Sequence, residues 1–77
     1  MTTNENQNPY EALSVLAEHI VKHGHNRTLE VSIEGLVRNH VEELKRAAKF
    51  GGFGKKIEAV IFNRAVDLEN RLNAILG

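Results

Sequence analysis

Apolar residues return at steps of three and four along most of this chain, and the places where the rhythm breaks mark its joints. Leu13, Leu16, Ala17 and Ile20 form one such stripe, the spacing that sets side chains on a single face of an α-helix. Asn8-Pro9-Tyr10-Glu11 stands ahead of it. That run supplies a capping side chain, a proline at the first helical position where its missing N–H costs nothing, and an acid that can reach back to the cap. Gly24 follows, where a left-handed residue commonly ends a helix. The pattern predicts a first helix from Pro9 to His23. The preceding Met1 to Gln7, MTTNENQ, has almost nothing to bury and reads as a disordered tail, which leaves residues 8–77 as one helical domain.

After a polar connection the rhythm changes. Leu29, Val31 and Ile33 alternate with Glu30, Ser32 and Glu34, the two-residue period of a β-strand. A lone strand cannot satisfy its backbone groups, and the chain offers no second strand candidate. Either the segment is an irregular lead-in to a helix, or it pairs with the same segment of another subunit. Helical steps then resume through Ile33, Leu36, Val37, His40, Val41, Leu44, Ala47 and Ala48, predicting a second helix from Glu34 to Lys49, weakened near its start by Gly35. Phe50-Gly51-Gly52-Phe53-Gly54 stops it. Ile57, Ile61, Ala65, Leu68, Leu72 and Ile75 predict a third helix from Lys55 to Leu76, with Val60, Phe62 and Val66 off its main stripe. The expected fold is mainly α, three helices with one short β-strand before the second, completed as an intertwined dimer. The alternative is an all-α three-helix bundle.

Size sharpens the need for a partner. A chain of 77 residues buries only about 60% of its unfolded surface, and with no cysteine it has neither disulfides nor thiolate metal sites to supplement its core. Self-association is the expected supplement. The start of the chain resembles no signal peptide, and no apolar run approaches the roughly 20 residues that cross a bilayer. With the absence of cysteine this predicts a cytoplasmic protein that does not engage membranes.

Ten basic and ten acidic side chains cancel, which excludes a uniformly basic coat for nucleic acid. Their distribution is uneven. Met1 to Ile20 carries Glu5, Glu11 and Glu18 and no base, while Lys45 to Lys56 carries Lys45, Arg46, Lys49, Lys55 and Lys56 and no acid. In that second stretch, KRAAKFGGFGKK, positive charges flank a glycine loop that leads into a helix start, where N–H groups and the helix dipole attract an anion such as phosphate. It is not a Walker motif, since it lacks the spacer before Gly-Lys and the Ser or Thr after it. The competing reading is that these lysines complement a helix C-terminus and stay solvated. Phe50 and Phe53 suit the closure of a helical hairpin, with stacking on bases as the alternative.

Other candidate chemistry is thin. His19 and His23, four apart with His25 beyond, can share one helix face and a metal ion, but no acid stands at a fixed offset to complete the site, so neither a metal nor a cofactor is expected. His40 reads as a hydrogen-bonded boundary residue. Ser14 and Ser32 lie in no nucleophile motif, and Glu42 and Glu43 point to different helix faces. The chain reads as a binding protein, not an enzyme.

The order TLEVSI, EGLVRNHVEELKRAAK, FGGFG, KKIEAVIFNRAVDLENRL over Thr28 to Leu72 resembles the ribbon-helix-helix family of bacterial and phage repressors. The resemblance implies a homodimeric regulator that binds duplex DNA, its two ribbons paired in the major groove. Thr28, Glu30 and Ser32 would then face the bases, and Leu29, Val31 and Ile33 the dimer core. Gly54, Lys55 and Lys56 would hold a backbone phosphate, with Lys45, Arg46 and Lys49 adding positive field. Ile61, Phe62, Val66 and Leu68 complete the expected subunit or partner interface. The alternative expectation is a small helical adaptor or inhibitor that docks on a protein and does not touch DNA.

Overall fold

The computed structural model describes residues 8–77, so the expected tail Met1 to Gln7 lies outside the described residues. Three helices, α1 (Pro9–His23), α2 (Arg27–Phe50) and α3 (Lys55–Leu76), form an up-down-up arrangement. Asn8 caps α1, its side chain accepting from the backbone N–H groups of Tyr10 and Glu11, with Pro9 in the first turn and Gly24 closing the far end at φ +84°. The first and third helices thus fall where the apolar rhythm placed them.

The second does not, and the difference corrects the fold. The segment expected as a ribbon, Thr28 to Ile33, is the opening of α2. Asn26 starts this helix by accepting from the Leu29 N–H at 3.0 Å. Wound as a helix, Leu29, Ile33, Leu36 and Val37, Val41, Leu44 and Ala48 fall on one side, and Val31 is left 55% exposed. The alternation in the sequence is an accident of Val31 standing off that stripe. A helix satisfies its own N–H and C=O groups, so this segment has no need of a strand from a second subunit. Among the described residues the fold is the all-α three-helix bundle, without the intertwined ribbon.

The core is small and lies toward one end. Leu13 and Leu16 of α1 meet Ile33, Val37 and Val41 of α2 and Ala65, Leu68 and Leu72 of α3. Leu16, Val37, Leu68 and Leu72 are fully buried, and each contributes about 1.5–3 kcal/mol by leaving water. Tyr10 fastens the first turn of α1 to α3: its hydroxyl donates to Asp67 at 3.3 Å while the Arg71 guanidinium lies 5.5 Å from its ring centre. Asp67 also accepts from Arg71 at 2.8 Å, and that hydrogen bond, with the charge behind it, raises the Arg71 pKa. α2 and α3 pack most extensively on each other, and α1 rests across both.

The result is flat. Its extents are 44 × 33 × 15 Å with a radius of gyration of 13.8 Å, against about 11 Å for a compact domain of this length.

Candidate functional site

The three helices differ in length, and the mismatch leaves a surface bare. α1 has 15 residues against 24 and 22 in α2 and α3. Its first turn meets α3 at Asp67 and Arg71, about 18 Å along that helix from Lys55 at 1.5 Å per residue. Beyond that level the α2–α3 hairpin has no third helix over it. Between Leu44 and Ala65 only Ala48 is buried. Phe50 (74% exposed), Phe53, Ile57, Val60 (59%) and Phe62 (48%) are exposed along this length, five of the eight large hydrophobic side chains exposed among the described residues, with Phe62 and Val60 on opposite sides of α3.

Between the two helices this end carries an open groove of about 520 Å³. Ala48, Ala59 and Phe62 give it an apolar lining, and Lys45, Lys49, Lys55 and Glu58 complete it. Further along the seam a cleft of about 80 Å³ lies between Arg38, Val41, Glu42, Lys45, Glu69 and Leu72. The Lys45–Glu69 ion pair, 3.4 Å long, stands at that cleft.

The glycine turn holds the hairpin end in shape. A Cβ on Gly51 would stand 2.7 Å from Cδ2 of the Phe53 ring and 2.5 Å from the Ala47 carbonyl oxygen, so a residue without a side chain lets Phe53 fold back over the backbone. Gly54, at φ +93° and ψ 159°, occupies a region that L side chains rarely enter. It opens α3 with no side-chain cap.

The charges of the two ends are arranged differently. Lys22 pairs with Glu18, Arg38 with Glu34, Arg71 with Asp67 and Lys45 with Glu69. Among the described residues Arg46, Lys49, Lys55 and Lys56 pair with no carboxylate and stand together, while Arg27 and Arg64 are unpaired singly. Lys49 instead lies 5.4 Å from the centre of the Phe50 ring.

The residues expected at a nucleic-acid site separate into two groups. Thr28, Glu30 and Ser32 sit in the first two turns of α2, where Glu30 is half-buried and 2.7 Å from Nδ1 of His25. Arg46, Lys49, Gly54, Lys55 and Lys56 are at the other end. Thr28 and Lys49 are about 31 Å apart along α2 at helical rise. Of the expected interface residues, Ile33 and Leu68 belong to the chain's own core, Leu29, Ile61 and Val66 are half-buried, and Val31 and Phe62 are exposed. The His19 and His23 rings lie 4.9 Å apart between centres, tilted by 44°, and among the described residues no group of three or more His, Asp or Glu stands close enough to share a metal ion. No helix is long and apolar enough to cross a membrane among the residues described.

Sequence reasoning singled out Phe62, the turn and the lysines, but it missed Ala48, Glu58 and Ala59, which line the groove with them. The available signal was the length of the third helix: a 15-residue first helix cannot cover one of 22 residues. No family model, curated protein or solved structure matches the chain.

Proposed function

We propose that the chain is a small helical protein-binding module, of adaptor or inhibitor type, that docks through the open end of the α2–α3 hairpin. The observation that carries this reading is the groove lined by Ala48, Ala59 and Phe62, at an end of the hairpin where Phe50, Phe53, Ile57 and Val60 are exposed as well. An exposed apolar groove marks an interaction site, and a few anchoring side chains in such a pocket carry most of the binding energy of an interface. Among the described residues no polar or charged side chain is buried, which favours binding over chemistry, since reactive groups are tuned by burial.

Affinity capture from the cells that make the protein, followed by identification of what is retained, tests the reading. A discrete partner held by the wild type and lost with Phe62→Asp, at unchanged helical circular dichroism, is the expected result. Retention that ignores Phe62→Asp, or steeply salt-dependent binding to mixed-sequence duplex DNA with no protein captured, overturns it.

A further inference from the structure

Resting on that reading, we infer that the segment the hairpin end receives is an acidic amphipathic helix. The argument is one of charge complementarity around an apolar groove. Every base in the stretch Lys45 to Lys56 lies at this end with no acid between them; Lys45 pairs with Glu69, and Arg46, Lys49, Lys55 and Lys56 form a cluster with no ion pair among the described residues, whereas the other unpaired bases, Arg27 and Arg64, stand singly. The positive field is therefore uncompensated where the apolar surface is exposed. A guest that fills the groove must bring aliphatic or aromatic side chains for Ala48, Ala59 and Phe62 and carboxylates for the lysines beside them. A helix with apolar residues at i, i+3 or i+4, and i+7 and acids flanking them does both. The volume, about 520 Å³, falls within the roughly 300–1,000 Å³ of clefts that seat ligands.

Two other guests fit less well. A second copy brought in by a two-fold axis through this end would set lysines against lysines. A single nucleic-acid strand has bases to stack on Phe62, but it carries a charge at every nucleotide and no aliphatic surface, whereas the groove is largely apolar.

A random peptide library displayed on phage, selected on the full chain and counter-selected on Phe62→Asp, tests this without knowledge of the natural partner. The expected winners interleave acids with apolar residues at helical spacing. Synthesised, a winner should bind the wild type with an affinity that falls with salt, and about ten-fold less tightly to the triple variant Lys49→Gln, Lys55→Gln, Lys56→Gln. Winners that depend on Phe62 but are basic or uncharged overturn the acidic partner and leave the docking surface standing. Failure to enrich any peptide that depends on Phe62 overturns both. A labelled single-stranded oligonucleotide that binds through Lys49, Lys55 and Lys56 more tightly than the best peptide also overturns the inference, in favour of a nucleic-acid groove.

Discussion

The two ends of the α2–α3 hairpin are built from the same kind of helix and treated in opposite ways. At one end α1 lies across the pair, Leu68 and Leu72 have no exposure, and Arg38 and Arg71 are matched to acids. At the other the helices continue without a cover, and phenylalanines and lysines face outward together. The covered end holds the fold and the bare end is free to bind. Packing that serves stability consumes apolar surface inside the molecule, so what a small chain leaves outside is a better guide to its use than what it hides.

Substitutions at the two ends should therefore differ most. Leu68→Ala or Leu72→Ala should cost about 2–5 kcal/mol of unfolding free energy in urea titrations, while Phe62→Asp, on an exposed side chain, should stay within about 0.5 kcal/mol. Equal losses would mean that the bare end is part of the core. A smaller effect belongs to the turn that closes the bare end: Gly54→Ala, at φ +93° and ψ 159°, should cost about 1–3 kcal/mol, read as a lowered midpoint in thermal melts. Asn26→Ala removes the cap of α2 and should cost about 1 kcal/mol by the same measurement; no loss would mean that α2 does not begin at Arg27. The smallest change is expected from Lys49→Gln with Lys55→Gln, which relieves like charges and should move stability by no more than a few tenths of a kcal/mol, upward at low salt.

Much of the fold was legible in the pattern of residues. Pro9 and Asn8 announced α1, and the run Phe50 to Gly54 announced the hairpin turn, because proline and glycine act through local backbone geometry that tertiary packing seldom overrides. The start of α2 was not legible, since Leu29, Val31 and Ile33 satisfy a two-residue period as well as part of a helical one. What decides between them is whether Val31 is buried, a property of the assembled bundle. Asn26 carried the missed signal as a cap three residues before Leu29. At the site, Lys49, Lys55, Lys56 and Phe62 could be picked out by type. Their separation from Thr28 and Ser32 could not, because it follows from α2 being one continuous helix.

Methyl and aromatic NMR signals recorded with a soluble paramagnetic probe, at protein concentrations low enough to disfavour self-association, test the uncovered hairpin end most directly. Strong broadening is predicted at Ile57, Val60 and Phe62 with near-complete protection at Leu16, Leu68 and Leu72. Protection of Ile57, Val60 and Phe62 to the level of Leu68 would contradict it.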